Sequence, residues 1–144
     1  MSVTRPCGKG WGDRYSQVVR VSNGAQGATV HLAGQTAAPA PGSDEPQILA
    51  DLDCYAQTCV ILARVDRFLA AAGASKQHLV RAWVFLHDPT DVDECNRAWD
   101  EWMDGEGNLP ARTCLVASPQ LHTPHGLVEI TVDAFVAAPA DPTP

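Results

Sequence analysis

The feature that most restricts this chain is the run from Ile48 to Ala72. Within it Ile48, Leu52, Tyr55, Cys59, Leu62, Val65 and Leu69 recur at three- and four-residue spacing. That period matches one face of an α-helix, so the run predicts one long amphipathic helix. Pro46 suits the first turn, where a missing N–H is not needed, and Gly73 is placed to cap the end. A single apolar stripe of this length has to be buried against another layer. The other apolar patterns in the chain are mostly strand-like, which makes that layer a β-sheet.

Gln17–Val21 and Thr29–Gly34 flank a turn built on Asn23, Gly24 and Gly27, and read as a hairpin with a longer loop. Residues 79–86, LVRAWVFL, predict a third strand. Thr90 or Asp91 can cap a second helix through Met103, with Val92, Cys95, Trp99 and Trp102 on its buried stripe. Gly105, Gly107 and Pro110 break that helix, and Arg112–Ala117 and Leu127–Val136 predict two last strands. Strands and helices that do not alternate strictly predict an α+β fold with the helices on one sheet face. The opposite face then needs water-compatible residues or a partner chain. The whole of 1–144 reads as one domain, with 1–13 as a mobile arm, the Pro-rich 37–46 as a loop and 138–144 as a disordered tail.

The formal charge of -7, with Lys9 and Lys76 as the lysines, leaves no basic surface for a phosphate backbone or an anionic membrane. No apolar stretch reaches the roughly 18–20 residues a bilayer span needs, and the N-terminus has no apolar signal core. A cytoplasmic protein is expected. Cys7, Cys54, Cys59, Cys95 and Cys114 are odd in number, irregular in spacing and lack a Cys-x-x-Cys, which predicts reduced thiols and no zinc knuckle. His122 and His125 have the spacing of a His-x-x-His pair, but they lie in a loop with no third ligand, so no metal is expected. His31 and His87 flank strands and read as structural, and the acidic stretch Asp88 to Asp104 as a solvated helix face.

The last two strands carry the chemistry. Period-two alternation puts Arg112 and Cys114 on one face of their strand, and Glu129, Thr131 and Asp133 opposite Val128, Ile130, Val132 and Ala134 in the other. With the apolar face under the helices, the second face is expected to gather a guanidinium, a thiol, a carboxylate and a hydroxyl. Two readings fit this. Arg112 could grip a small carboxylate through two parallel N–H···O bonds, or it could be an edge arginine paired with Glu129 across the sheet.

Leu109-Pro110-Ala111-Arg112-Thr113-Cys114-Leu115, followed by Leu127-Val128-Glu129-Ile130, closely resembles the C-terminal signature of the RidA/YjgF family. Arg14-Tyr15-Ser16-Gln17, Leu32-Ala33-Gly34-Gln35, Ala71-Ala72-Gly73-Ala74-Ser75 and Val84-Phe85-Leu86 with Asp91 and Asn96 match further family segments in order, over roughly 14–137. The resemblance implies a chorismate-mutase-like α+β fold with a mixed sheet, assembled as a homotrimer with pockets between subunits. It implies hydrolysis of reactive imines and enamines such as 2-aminoacrylate to 2-keto acid and ammonia, with no cofactor. By the same resemblance Arg112 would clamp the substrate carboxylate, and Tyr15 and Asn96 would line the pocket. The Gly34 backbone would approach the ligand, and Cys114 would face the amino group or the water. Two positions depart from the active pattern: Ala33 replaces a serine, and Thr131 replaces a second glutamate. Thr131 can hold a water but cannot act as its base at neutral pH, and Glu129 is the remaining carboxylate. Cys114 could also be a thiol activated by Arg112. The alternative function is a non-catalytic module that binds a keto acid. The ribonuclease activity sometimes attached to the family is disfavoured by the acidic charge.

Overall fold

The computed structural model describes residues 1–10, 13–39, 49–105, 107–117, 121 and 123–138. Six strands form one sheet: β1 (Ser2–Thr4), β2 (Val18–Ser22), β3 (Ala28–Leu32), β4 (Leu79–Leu86), β5 (Ala111–Val116) and β6 (Val128–Val136). Among the described residues there are two α-helices, α1 (Cys54–Ala71) and α2 (Val92–Met103), and several short 3-10 turns. The strand order is β1-β2-β3-β6-β4-β5, antiparallel throughout except for the parallel pair β4–β5. A parallel pair needs a crossover, and α2 supplies it. The architecture is the expected α+β fold with a mixed sheet. One strand was not foreseen, because Ser2–Thr4 pairs with β2 from within the stretch read as a mobile arm.

Helix α1 starts later than its apolar period suggested. Asp53 is extended at ψ 173°, and its carboxylate accepts from the Ala56 N–H at 2.8 Å, which caps the first turn at Cys54. A short 3-10 turn, Leu49–Asp51, precedes it, and Pro46 and Ile48 lie outside the described residues. At the other end Gly73 sits at φ 72°, where the Ala74 N–H donates to Leu69 and the Gly73 N–H to Ala70. These two bonds satisfy the last carbonyls of the helix as a Schellman cap.

The buried stripe of α1 runs through Cys54, Gln57, Thr58, Ile61, Leu62, Val65 and Leu69, while Cys59 is exposed. The stripe is thus rotated from the expected one, and it takes in polar groups that the core satisfies. Gln57 donates to the carbonyls of Leu52 and His125 and accepts from the Leu127 N–H at 2.9 Å. Arg64 donates to the carbonyls of Thr36 and Ala38. Both side chains fasten loops to the helix. The apolar core joins Ile61, Leu62, Val65 and Leu69 to Trp99 and Met103 of α2 and to Val30, Val84, Val128, Ile130 and Val132 of the sheet. Full burial of each such aliphatic side chain contributes about 1.5–3 kcal/mol.

Register fixes which side chains share a face. Val84 of β4 lies opposite Cys114 of β5 and Ile130 of β6, whereas Trp83 lies opposite Thr113 and Thr131. The Val84 set faces the helices. The outer face carries Val19, Val21, Trp83, Phe85, Leu115 and Phe135, with Leu115 47% and Phe135 40% exposed. No element among the described residues covers it.

Replacing the capping carboxylate (Asp53→Ala) should lower the unfolding free energy by about 1 kcal/mol, since an N-cap is worth that much. Urea titration monitored by circular dichroism measures it, and an unchanged midpoint would count against the assigned helix start.

Candidate functional site

Arg112 is the second residue of edge strand β5, directly opposite Ala82 of β4. Ala82 is fully buried, so its small side chain leaves room on the helix side for the long arginine stem. Helix α2 lies above, and Cys95, Asn96 and Trp99 share the facing turn. Arg112 Nη1 donates to Asn96 Oδ1 at 2.8 Å, Nη2 reaches Cys95 Sγ at 3.7 Å, and Cζ lies 4.9 Å from the centre of the Trp99 ring. The guanidinium is therefore held by an amide oxygen, a sulfur and an aromatic face. Its Nε is buried with no hydrogen-bond partner among the described residues. The ion pairs among those residues are Lys9–Asp13 and His31–Asp133, so no described carboxylate neutralises Arg112. A half-buried cation with an unused donor and no counter-ion is costly unless an anion joins it.

The thiols around this arginine differ. Hydrogen bonding from Cys54 holds Cys95 below the ordinary thiol range, with help from Thr58 and Arg112 and against the opposing effect of burial. Cys114 goes the other way: burial raises it by more than the Arg112 charge lowers it. The idea that Arg112 activates Cys114 is therefore not supported.

The expected gathering of Arg112, Cys114, Glu129, Thr131 and Asp133 on one face does not occur. Arg112 and Cys114 point to the helix side, and the other three point to the outer face. This also removes the pairing of Arg112 with Glu129. Alternation within each strand was read correctly, but the relative phase of two strands is set by their common neighbour β4. Glu129 instead packs on Gly34, where an added Cβ would lie 2.0 Å from its Oε1. Thr131 Oγ1 donates to the Leu32 carbonyl at 2.6 Å, so its proton is committed to the backbone. Tyr15 sits in the lead-in to β2, 40% exposed, with its ring over Gly10, where a Cβ would come within 2.1 Å. Tyr15 and Arg112 are separated by four inter-strand steps, roughly 19 Å at the usual spacing.

One chain thus holds two groups: Arg112, Asn96 and Cys114 at the β5 edge, and Tyr15, Gly34, Glu129 and Thr131 around the β3–β6 junction. Sequence reasoning missed Cys95 and Trp99 as partners of the arginine, though their spacing around Asn96 puts all three on one helix turn. It also missed Gln35, which is buried, donates to Gln17 and bridges to Ile130, and so holds the Gly34 turn against β6. His122 lies outside the described residues, and no cluster of three metal-ligating side chains occurs among the described ones. A separate small cavity under the loop before β6 is lined by His87, Leu121, Thr123, His125, Gly126 and Leu127, none of them a predicted site residue.

A single mixed sheet backed by two helices, with an arginine on its parallel edge strand that no described carboxylate neutralises, defines a class of small α+β protein. The family model described as Endoribonuclease L-PSP matches residues 12–136, and the chain belongs to that family, the RidA/YjgF group. A RutC family protein of Haemophilus influenzae is 36% identical over 89 residues, covering 62% of this chain and 74% of that one. A solved YjgF family structure from Neisseria meningitidis is 33% identical with a TM-score of 0.69, covering 94% of this chain and 95% of that one. A solved protein from Pseudomonas aeruginosa is 26% identical with a TM-score of 0.79 and 99% coverage of both chains. No helix among the described residues is long and apolar enough to cross a membrane.

The raised Cys114 thiol has a consequence in solution. Its alkylation by iodoacetamide should be slower at pH 8 than that of free cysteine, because less thiolate is present, with a rate midpoint at higher pH. Arg112→Ala should move the midpoint higher still by removing the charge that favours the thiolate. Peptide mass analysis of a pH series reads both, and a midpoint below that of free cysteine would overturn the assignment.

Proposed function

We propose that this protein binds small carboxylates at Arg112, in clefts completed by neighbouring copies, and hydrolyses reactive imine or enamine carboxylates there to 2-keto acids and ammonia. The guanidinium carries this reading: it is fixed by Asn96, stacked on Trp99, and short of both a counter-ion and a partner for Nε. A carboxylate would supply the missing charge, and a charge-assisted hydrogen bond of that kind contributes about 1.5–3 kcal/mol.

A cleft shared between copies is supported by what one chain leaves open. Among the described residues nothing pairs with the outer edge of β5, and Leu109, Leu115 and Val116 are exposed beside it. The outer sheet face is partly apolar. A homotrimer of the kind the family resemblance implies would cover these surfaces and bring Tyr15, Gly34 and Glu129 of one copy to Arg112 of the next. In that site Arg112 orients the substrate, and the imine carbon, conjugated to its carboxylate, is already electrophilic. An enamine first takes a solvent proton at its β-carbon to become the iminium. Water then adds to the iminium carbon as its proton passes to Glu129. Glu129 returns that proton to the carbinolamine nitrogen, and ammonia leaves as the hydroxyl gives up its proton to solvent and becomes the ketone. Catalysis is then mostly positioning and electrostatics. The reaction as written calls on no metal or cofactor. The expected setting is the cytoplasm.

A second reading is a non-catalytic keto-acid binder. Thr131 favours it, because it stands where active relatives carry a carboxylate and its hydroxyl proton is already donated to Leu32.

The two readings separate in one assay, in which 2-aminoacrylate is generated by a dehydratase and 2-keto acid release is followed with and without the protein. Acceleration is expected. No acceleration together with saturable 2-ketobutyrate binding would establish the binder instead. Arg112→Ala should weaken 2-ketobutyrate binding by roughly ten- to a hundredfold, given the bond strength above, with the circular dichroism spectrum unchanged. If the alanine variant bound as tightly as the parent, the site assignment would be wrong. Thr131→Glu should raise imine hydrolysis if the second carboxylate is what limits the rate, and calorimetry alongside the assay would distinguish a faster reaction from tighter binding.

A further inference from the structure

Trp99 and Trp102 of α2 form an edge-to-face pair, with ring centres 5.3 Å apart and planes at 64°. A cation lies over each ring. Arg112 Cζ is 4.9 Å from the centre of Trp99, and the Lys76 ammonium is 5.7 Å from the centre of Trp102. Two hydrogen bonds fasten Trp102. Its Nε1 donates to Asp66 Oδ2 of α1 at 2.9 Å, and its carbonyl accepts from Lys76, which opens the 3-10 turn before β4. A tryptophan pair on a helix is most simply core packing, and leucine with phenylalanine would fill the same space. That accounts for Trp99, which is buried. It does not account for Trp102, which is half-buried at the margin of the core and commits its N–H to a carboxylate on the other helix.

Asn96 and Cys95 accept from two nitrogens of the guanidinium, and Trp99 meets it with a ring. The hydrogen bonds fix where the group points, and the ring limits how it tilts. Tilt matters for a carboxylate, because two parallel N–H···O bonds need both groups in one plane. We propose that Trp99 and Trp102 form a positioning relay for Arg112, anchored at Asp66 of α1, so that the grip on a carboxylate depends on a side chain of the other helix. Asp66 holds the indole of Trp102, the edge-to-face contact holds Trp99 against it, and Trp99 holds the guanidinium. Lys76 braces Trp102 through both its ring and its carbonyl. Asp66 is exposed, so its removal leaves the core filled and tests the relay without emptying it.

The effect on affinity rests on the carboxylate reading above; the orientation of Arg112 does not. The test uses the full chain labelled with nitrogen-15 arginine and follows the Arg112 Nε–H resonance, identified by its loss in Arg112→Lys. The Trp99 ring current should displace that resonance from the free-arginine position. In Trp99→Leu it should return there, and in Asp66→Ala it should move part of the way. Asp66→Asn should leave it in place, since the amide oxygen still accepts the indole proton while the charge is gone. Calorimetry with 2-ketobutyrate should show binding weakened by roughly three- to thirtyfold in Trp99→Leu, less in Asp66→Ala, and restored in Asp66→Asn. A resonance that stays put in Asp66→Ala, with only the thermal midpoint lowered, would reduce the tryptophans to packing and overturn the relay. Asp66→Asn behaving like Asp66→Ala would overturn it too, by making charge and not the indole bond the cause. A displaced resonance with unchanged 2-ketobutyrate affinity would overturn the link to binding. If the parent protein binds no 2-ketobutyrate, the carboxylate reading fails, and the Arg112 resonance alone decides the relay.

Discussion

Strand β4 is hydrogen-bonded on both edges, parallel to β5 and antiparallel to β6, and the arrangement of the chemistry follows from that. Because paired residues point the same way, Ala82 and Val84 assign Arg112 and Cys114 to the helix side. Trp83 and Phe85 assign Thr131 and Glu129 to the outer side. A slip of one residue in either pairing would reverse every side chain of that strand. The buried Val128, Ile130 and Val132 set that opposes Leu86, Val84 and Ala82 makes such a slip costly.

The register creates an electrostatic problem at the sheet edge. Arg112 emerges on the side where an ordinary strand would bury an apolar residue, and α2 closes over it. Asn96, Cys95 and Trp99 offer a dipole, a polarisable sulfur and a π face, which together orient the guanidinium without neutralising it. Structural arginines of this chain are treated differently. Arg64 is buried and donates to two backbone carbonyls that belong to the loop it fastens. Arg112 instead reaches side chains of α2, an amide oxygen and a sulfur, and no backbone carbonyl. Its Nε is left without a hydrogen-bond partner among the described residues.

The second group of residues is held as firmly, but by backbone rather than charge. Gln35 pairs with Ile130 in both directions, Gln17 and Gln35 join their amides, and Thr131 ties β6 to the end of β3. These bonds set the Gly34 turn against Glu129 so closely that a Cβ at Gly34 would displace the Glu129 carboxylate. The two groups lie on opposite faces, with β4 between the strand that carries Arg112 and the strand that carries Glu129 and Thr131.

Much of this was legible in the linear chain. The helical period, the Gly73 cap, the alternation in LVRAWVFL and in Val128–Val136, and the segment around Arg112 are local patterns, each set by forces between residues a few positions apart. The cap at Asp53 displaced the expected helix start because one hydrogen bond outweighed a continuing apolar period. The strand at Ser2–Thr4 was hidden because Pro6 and Gly8 obscure so short a run. What the sequence could determine alone was which residues share a face of their own element, and that Arg112 is a cation in an acidic chain. Only the tertiary structure decided that Arg112 lies beneath α2 and Glu129 on the far side. Those facts depend on pairing between strands and helices distant in sequence, and no local period records it.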